Sequence, residues 1–464
     1  MLDEESDNTL GGEALADQQS GAETEGVDGD SFGGEGLGKT STASPMAGTS
    51  AGPRSLPCEL SAGVIRQDYF DTDTGIVEID MADFSHCETL VVGNGGVVET
   101  SIRMVYGVKF VGTGPTNLEI GTYTFYNGRQ NGYPNTLATV TFPDGLETLT
   151  IGEKAFGQSA VGGGSNALAS VAFPAGLKTL SIGSEAFQQV TSSQDTLPYS
   201  GDNALASVTF PDGLETLTMG ASAFRQEAWG GNTNALNSVS FPAGLETLEV
   251  ADKAFQQSSL VQNTLTEVAF PEGLKTLTLG EWSFDQSSAG VALERVGFPD
   301  SLETLTIGKY ALMQSSRPGA SNALASIDFP DGLKTLTIGP AAFHQYAHEG
   351  SNPLGRVIFP NGLEELTGGA SAFSQSSAGG GANSLATVTF PSGLESLDVD
   401  QYAFRLTGDA DYAAPVVFFP FSAGGIPDTV TLGATITAEN APWAWLGLDG
   451  ASTSSWGNDT GATS

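Results

Sequence analysis

The sequence predicts a mainly β repeat solenoid, a right-handed stack of coils with two narrow parallel sheets and short turns or helical pieces. The dipeptide Phe-Pro recurs ten times between Phe142 and Phe419. Each well-kept copy lies in a unit of 24 residues, which runs from Asn135 to Gln158 in the first one. Variation in repeat length falls between the Gln of one unit and the Asn of the next, where a loop can leave the stack without disturbing the coil.

The first half of the unit predicts two short strands joined by a turn. Apolar residues have the same spacing in segments 137–142 and 146–151, and the second segment ends in strict apolar-polar alternation. A period of two is the pattern of a half-buried strand. Between the segments, Pro143 sets φ to about −65° and Gly145 permits a positive φ, so a tight turn is expected.

The second half of the unit predicts a turn or short helical piece that returns an aromatic ring to the core. The second strand ends at Gly152, and Ala155 and Phe156 follow. Fully burying a phenylalanine side chain contributes roughly 1.5–3 kcal/mol. The same position in later units holds Phe187, Phe224, Phe255, Phe284, Leu312, Phe343, Phe373 and Phe404.

A glutamine follows this core position by two residues. Because its place is fixed relative to the core ring, we predict a structural ladder of stacked amides that bond to each other and to turn carbonyls. The predicted ladder consists of Gln158, Gln189, Gln226, Gln257, Gln286, Gln314, Gln345 and Gln375. The asparagine that opens each unit, with Val291 as the exception, has the same predicted role.

Taken together, these residues resemble the leucine-rich repeats of the BspA type, whose units have a strand, an apolar-Pro turn, a second strand ending in Ile-Gly, and then Ala-Phe. The resemblance covers about residues 107 to 420. One departure is the residue two after Phe, commonly Cys in that family and Gln158 in the first unit here; Phe-x-Gln is also similar to the FNIP-type repeats. The resemblance implies a leucine-rich-repeat-like fold and a non-enzymatic surface or recognition protein, often secreted or attached to a cell wall.

Composition divides the chain into four parts. Residues 1–56 hold eleven acidic residues against Lys39 and Arg54 and are rich in small polar residues, so we expect a disordered acidic segment. Residues 57–106 lack the repeat but alternate like strands, and they predict an N-terminal cap because exposed solenoid ends need covering. The repeat solenoid of about ten coils occupies 107–420, and 421–464 predict a C-terminal cap and flexible tail.

Cys58 and Cys87 are the two cysteines of the chain, and both lie in the predicted N-terminal cap. In an oxidising compartment, a disulfide between them would contribute on the order of 3.5 kcal/mol in the loop-entropy model. Two reduced, buried thiols are the alternative. We expect the bridge.

The formal charge of −37, from 54 acidic and 17 basic residues, argues against several classes of partner. Nucleic acid and anionic lipid bind clustered Lys and Arg, so we expect neither as a partner. No run of 18 apolar residues occurs, so no membrane span is expected. No basic-then-apolar leader follows Met1, so an extracellular or cell-surface protein would have its signal peptide outside this sequence. We expect a monomer.

Candidate catalytic and ligand-binding motifs lack the structural context that their chemistry needs. Residues 33–40 match the phosphate loop G-x-x-x-x-G-K-[ST], but no strand is predicted before them and no helix after them. His344 and His348 are four residues apart, but Gln345 stands where a zinc protease needs its general-base Glu. We therefore expect no catalytic residue, no bound metal and no cofactor.

The outward positions of the second strand present a flat array of threonines. Its members are Thr148, Thr150, Thr216, Thr218, Thr276, Thr278, Thr304, Thr306, Thr335 and Thr337. Such arrays resemble the ice-binding surface of some antifreeze proteins, although Thr is also a common outward residue of strands.

Three functional hypotheses follow from this organisation. The favoured one is a secreted or surface-displayed protein that binds a protein or glycan through a solenoid face or the variable loops 159–165, 190–202 and 376–382. A purely structural spacer without a ligand is the alternative, and ice binding by the threonine face is a further one.

Overall fold

A computed structural model of the chain describes residues 56–93, 104–129, 133–162, 164–192, 201–400 and 402–408, together with four short strands near the C-terminus. All of these residues belong to one compact unit, Leu56–Ser464. The expected disordered segment 1–56 lies outside the described residues except for Leu56, and so does most of the expected C-terminal cap and tail.

The chain folds into a mainly β parallel solenoid of about ten coils, so the predicted fold class is confirmed. Equivalent strands of successive coils pair in register, as Leu149 pairs with Leu180 and Leu180 with Leu217. In-register stacking places the same repeat position of every coil in one column. The residues of one column therefore have the same surroundings in every coil. Insertions occur only between the Gln of one unit and the Asn of the next, because elsewhere they would shift residues out of their columns.

Sheet 1 is built from the strand that precedes Phe-Pro in each coil. It is parallel except for its outermost pair at each end, which is antiparallel. Its strands, in order, are Phe70–Asp71, Ile76–Asp80, Gly107–Val111, Thr139–Thr141, Ser170–Ala172, Ser207–Thr209, Ser238–Ser240, Glu267–Ala269, Arg295–Gly297, Ser326–Asp328, Arg356–Ile358, Thr387–Thr389, Val416–Phe418, Ala444–Leu446 and Thr453–Ser455.

Sheet 2 is built from the strand that ends at Ile-Gly, and it consists of two parallel parts. The first part holds Glu59–Leu60, Thr89–Val92, Asn117–Ile120, Thr148–Ile151, Thr179–Ile182 and Thr216–Met219. The second part holds Thr247–Val250, Thr276–Leu279, Thr304–Ile307, Thr335–Ile338, Glu365–Gly368, Ser396–Val399 and Thr429–Leu432.

A third parallel sheet, sheet 3, begins at the glutamine of most units, two residues after the predicted turn at Ala155 and Phe156, and the expectation of two sheets is therefore corrected to three. Gln and Ser carry little strand propensity and these strands show no apolar alternation, so the sequence pattern did not indicate them. Its strands are Asn127–Arg129, Gln158–Val161, Gln189–Ser192, Gln226–Ala228, Gln257–Ser259, Gln286–Ser288, Gln314–Ser316, Gln345–His348, Gln375–Ala378 and Leu406–Thr407. Ser351–Asn352 and Ala382–Asn383 form a separate parallel pair between neighbouring loops.

Helical structure among the described residues is confined to the segment expected to be the N-terminal cap. It comprises a short α-helix, Ala62–Val64, a π-helical turn, Ile65–Tyr69, and a 3-10 turn, Met81–Phe84. The same segment contributes Ile76–Asp80 to sheet 1 and Thr89–Val92 to sheet 2. The remaining coils turn from sheet 2 to sheet 3 without a helix.

Two columns of phenylalanine rings run through the interior. The column that follows Ala, represented by Phe156, Phe187 and Phe224, stacks with ring centroids 5.3 Å apart and nearly parallel planes. The column that precedes Pro meets it edge to face, as Phe173 meets Phe187 at 6.3 Å. Offset stacking and edge-to-face contact are the favoured aromatic arrangements, so each ring is held by neighbours in both columns.

Glycine occupies most positions where sheet 2 ends because the coils come very close there. A Cβ atom added to Gly183 would lie 2.6 Å from the backbone N of Glu153, and one added to Gly339 would lie 2.6 Å from that of Lys309. Real Cβ atoms do not approach backbone atoms so closely. The glycine of Ile-Gly therefore sets the tight spacing of this turn.

The pairing of sheet 2 is interrupted within the continuously described residues 201–400. Thr216–Met219 and Thr247–Val250 do not pair, although sheets 1 and 3 continue across the same two coils. The second of these strands is followed by Ala251 in place of glycine. Asp400 also replaces the glycine, yet its N–H still donates to Gly368 O at 2.7 Å, so a side chain here does not by itself break the ladder.

Candidate functional site

The glutamines of the predicted ladder lie in the interior of the stack, each 1% exposed or less. Gln257 shows the pattern: its Nε2 donates to Leu236 O at 2.7 Å, and its Oε1 accepts from Thr264 N at 3.2 Å and Leu265 N at 3.1 Å. Adjacent glutamine side chains also bond to each other in six of the seven neighbouring pairs. The amides thus satisfy backbone groups that the turn between the Asn and the first strand leaves unpaired.

The asparagine column forms a second ladder beside the first. Asn166 Nδ2 donates to Asn203 Oδ1 at 2.7 Å and to Val190 O of sheet 3 at 3.1 Å. The ladder is interrupted at Asn263, whose Nδ2 donates to Gln257 O instead, because the next unit has Val291 at this position. It resumes from Asn322 to Asn352 and Asn383.

The predicted threonine face lies on the outward side of sheet 2, where apolar residues point inward and threonines outward. Register places Thr276, Thr304 and Thr335 in one column of the second part of the sheet. Exposed Glu249 and Asp398 stand at outward positions of the same part. The flat threonine surface is therefore limited to a few coils.

Cys58 and Cys87 are joined by a disulfide in the structure, with Cα atoms 5.7 Å apart. Their partial burial and their place between the first two strands of sheet 2 agree with a staple that closes the N-terminal end. Formation of the bridge in solution stays a prediction, tested below by a thiol count.

Sequence reasoning missed the surface that accompanies sheet 3. We call this surface the third face; it consists of the residue two before the core Phe, the residue that precedes that one, the residue directly after the Phe, and the second residue of each sheet 3 strand, and in the central coils the strand residues are buried. The first of these positions has a positive φ in every described coil although no glycine occupies it, as in Lys253, Trp282 and Tyr310. Left-handed backbone costs an L-residue about 1–2 kcal/mol, so glycine would be the stable choice there.

A polar chain crosses three coils of the third face. Arg225 Nε donates to Gln256 Oε1 at 2.8 Å, and Gln256 Nε2 donates to Asp285 Oδ2 at 3.0 Å. Arg225 also forms an ion pair with Glu227, the second residue of its own sheet 3 strand. We call these four residues the third-face cluster.

Asp285 is the unusual member of the third-face cluster. Its side chain is fully buried, and Oδ1 has no hydrogen-bond partner. Burial raises the pKa of Asp285 to about 7, against the opposing effects of the Gln256 hydrogen bond and the charges of Arg225 and Lys253. Burial likewise raises the pKa of Glu227, although Arg225 opposes the shift. A buried carboxylate with an unpaired oxygen is destabilising, so a fold selected for stability alone would not place it there.

An aromatic pair lies beside the third-face cluster. The rings of Trp282 and Tyr310 are 4.2 Å apart, and Trp282 Nε1 donates to Glu281 Oε1 at 3.0 Å. Lys309 Nζ lies 4.8 Å from the Tyr310 ring and 3.8 Å from Glu281 Oε1. The pair and its two flanking charges form an interacting group that adjoining coils do not repeat.

The local charge of this surface differs from that of the whole chain. Three basic side chains, Arg225, Lys253 and Lys309, stand against four acidic ones, Glu227, Asp252, Glu281 and Asp285. The complete sequence has 17 basic residues against 54 acidic ones. Repulsion of a mildly acidic partner is therefore weaker here than over the chain as a whole.

A comparison of equivalent positions along the repeat could have found the third-face cluster. The residue directly after the core ring is Gly157 in the first unit and Ser374 in a late one, but Arg225, Gln256 and Asp285 in three consecutive units. The constant positions of the unit specify the coil and give no information about this column. A binding surface on a repeat protein is more apt to use the positions that vary.

Comparisons with solved structures give leucine-rich repeat proteins, the class that the sequence resembles. A leucine-rich repeat protein from Bacteroides ovatus matches with 18% identity and a TM-score of 0.33, over 82% of this chain and 97% of that one. The pneumococcal vaccine antigen PcpA matches with 15% identity and a TM-score of 0.24, over 76% and 78%. A leucine-rich cell surface protein from Faecalibacterium prausnitzii matches with 12% identity and a TM-score of 0.18, over 72% and 83%.

No protein-family model matches the sequence, and no curated protein is similar to it. Among the described residues, no helix has the length and apolar character needed to cross a membrane.

Proposed function

We propose that this protein is a non-enzymatic, monomeric recognition protein of the cell surface or extracellular space, which binds a protein or glycan ligand through its third face. The observation that carries the proposal is the third-face cluster. Its side chains join three consecutive coils, and it retains a buried, incompletely paired carboxylate.

The cluster favours recognition over a purely structural spacer. A spacer gains stability from uniform coils, and the stacked rings and paired amides of the interior follow that pattern. The third face keeps non-glycine residues with a positive φ and an ionisable chain across Arg225, Gln256 and Asp285, each of which lowers stability. Residues that lower stability and are nevertheless present are typical of binding surfaces.

The charge of the surface indicates the chemistry of the ligand. Because basic and acidic side chains nearly balance there, we expect a neutral ligand with many hydrogen-bonding groups rather than a strongly charged one. A neutral glycan or an uncharged protein patch fits this description.

An extracellular location is supported by the disulfide between Cys58 and Cys87. Disulfides persist in oxidising compartments and are rare in the cytosol.

Ice binding is not favoured, because Glu249 and Asp398 stand among the threonines and sheet 2 is interrupted beside Thr216 and Thr218. A measurement of thermal hysteresis tests that alternative directly.

The test uses the full chain and two matched pairs of charge removals. Glu281→Ala with Lys309→Ala removes an ion pair from the third face, whose atoms lie 3.8 Å apart. Glu246→Ala with Lys275→Ala removes a more exposed pair, 3.3 Å apart, from the outward column five residues after Phe. Both double variants remove one acidic and one basic side chain on neighbouring coils, so the net charge of the chain is the same in both.

Binding is measured on an array of neutral and acidic glycans and on a panel of immobilised extracellular proteins. We expect wild type and the Glu246/Lys275 variant to bind the same neutral probe, and the Glu281/Lys309 variant to lose most of that binding. Equal binding by both variants would show that the third face is not the ligand site. Absence of binding to every probe would favour the spacer. Exchange of loop 190–202 by a shorter loop distinguishes the third face from the variable loops, because only loop-based binding is lost.

A further inference from the structure

The N-terminal segment brings three metal-ligating side chains together. Cys58, His86 and Cys87 form the one group of three or more such residues among the described part of the chain, and their donor atoms all lie within 4.8 Å of one another. Cys58 is partly buried, Cys87 is 8% exposed and His86 lies at the surface. The group is thus reachable from solvent on one side.

The imidazole of His86 lies against both sulfur atoms of the disulfide. Its Nε2 is 3.5 Å from Cys87 Sγ and 3.9 Å from Cys58 Sγ, and it donates a hydrogen bond to Leu56 O at 2.9 Å. The Cα atoms of the two cysteines are 5.7 Å apart. Small side-chain rotations are sufficient to separate the sulfurs and point both of them, with the imidazole, at a common centre.

We propose that the reduced form of this segment binds one Zn²⁺ ion through the thiolates of Cys58 and Cys87 and the imidazole of His86. Two thiolates and one imidazole form a soft donor set that selects Zn²⁺ over Ca²⁺ or Mg²⁺. Three protein ligands leave the fourth position of a tetrahedral ion to solvent.

The reaction balances with a thiol reductant. Two thiols supply two electrons and two protons, become a disulfide themselves, and leave Cys58 and Cys87 as thiols. Zn²⁺ then displaces the two thiol protons, and His86 moves its proton from Nε2 to Nδ1 and releases the Leu56 carbonyl. The ion arrives as the aqueous cation and loses water ligands.

The consequence is a segment that stays closed in both redox states. Glu59 pairs with Val91 and Leu60 with Val92 where the first strand of sheet 2 joins the second. The disulfide crosslinks this junction under oxidising conditions, and the metal crosslinks the same residues when the bridge is reduced. The cover of the solenoid end is therefore kept when the bond is lost.

The experiment uses the full chain, reduced anaerobically with a phosphine and then freed of it, and titrated with Co²⁺ as a spectroscopic substitute for Zn²⁺. We expect one equivalent of Co²⁺ to give thiolate charge-transfer and tetrahedral absorption bands, and one equivalent of Zn²⁺ to remove them. The unreduced chain should give neither band.

Two histidine variants form a matched pair. His86→Ala removes a direct metal ligand. Loss of an outer-sphere partner weakens metal binding about 10- to 100-fold, and we expect the loss of His86 to weaken Co²⁺ binding by more than that. His344→Ala removes an imidazole that directly precedes a strand of sheet 3, far along the chain from the cysteines, and should leave Co²⁺ binding unchanged. Because His86 is exposed, its replacement should not prevent folding, and circular dichroism checks this point.

Three results would overturn the proposal: no absorption bands in the reduced wild type, equal Co²⁺ affinity in wild type and His86→Ala, or a thermal unfolding temperature of the reduced chain that Zn²⁺ does not raise. The last measurement also covers the case in which reduction loosens the segment, since a metal that restores it must raise that temperature.

Discussion

Gln256 donates a hydrogen bond from Nε2 to Oδ2 of Asp285 at 3.0 Å, while Oδ1 of this fully buried carboxyl group has no partner. The contact joins the coil of Gln256 to the next one, and Arg225 extends it to the coil before. Several neutral side chains of the described interior also have an unpaired polar atom, but Asp285 is the carboxyl group among them, so it is where pH should act.

Asp285 should make stability depend on pH between about 4 and 7. Its pKa is raised from the ordinary 3.8 to about 7 in the folded chain, so the folded state holds a proton that the unfolded state releases. The contribution of Asp285 to the free energy of unfolding is therefore fully present below about pH 4 and is lost as the pH rises to about 7. The loss is on the order of 4 kcal/mol at most, at about 1.4 kcal/mol per pKa unit.

Asp285→Asn should remove this dependence, because the amide cannot ionise. Urea unfolding at pH 5 and pH 8 measures it, and Asp331→Asn, at an exposed turn, serves as the control that should keep the wild-type difference. A difference of equal size in Asp285→Asn would mean that Asp285 does not titrate in this range.

Gln257→Ala should lower the thermal unfolding temperature without affecting ligand binding. The change leaves Thr264 N and Leu265 N without their partner, while Leu236 O keeps only the Thr264 hydroxyl as a donor. Each buried unpaired group costs about 1–3 kcal/mol. Gln257→Met keeps the side-chain length and removes the hydrogen bonds, so it separates pairing from packing. Gln262→Ala is an exposed control, and an unchanged melting temperature in Gln257→Ala would count against the ladder.

Gly183→Ala should destabilise the solenoid because its Cβ would lie 2.6 Å from Glu153 N and 2.7 Å from Gly152 C. Backbone atoms of the adjoining coil cannot yield as a flexible side chain would, so we expect a loss of about 1–3 kcal/mol, as in overpacked cores. Gly176→Ala is the matched control, since its nearest neighbour, Leu146 O, would be 3.8 Å away. Calorimetry measures the melting temperatures of the two variants, and equal values would contradict the expected loss of stability in Gly183→Ala.

The interruption of sheet 2 should appear in hydrogen exchange. Thr247–Val250 pairs on one side only, whereas Thr276–Leu279 pairs on both sides. We therefore expect the amides of residues 247–251 to exchange faster than those of 276–280 under native conditions. Equal protection of the two segments, measured by mass spectrometry of overlapping peptides, would show that the strands close in solution.

A thiol count on the unreduced, denatured chain tests the disulfide. With Cys58 and Cys87 bridged, we expect no reactive thiol before reduction and two after it, because the chain has no other cysteine. Two thiols before reduction would exclude the bridge. Cys58→Ser should then lower stability only in the oxidised protein, by about 2–5 kcal/mol.

Much of the fold follows from the sequence because every unit carries the same local constraints. Alternation around Leu149, the turn at Pro143 and the ring at Phe156 each predict one local structure, and their recurrence leaves stacking as the one way to bury all of them together. The ladder of Gln257 and its neighbours was predicted for the same reason, as a polar residue fixed beside a buried ring needs a buried partner.

What the sequence by itself determined is therefore the coil: two strands, a turn, a core ring and an amide at fixed spacing. Only the tertiary structure decided that the glutamine begins a third sheet, that Ala251 follows an unpaired strand edge, and that Arg225, Gln256 and Asp285 form one chain across three coils. The physical reason is that local pattern specifies which way a side chain faces, whereas its neighbours in the adjoining coils are set by register. Residues about 30 positions apart become neighbours only when the coils stack.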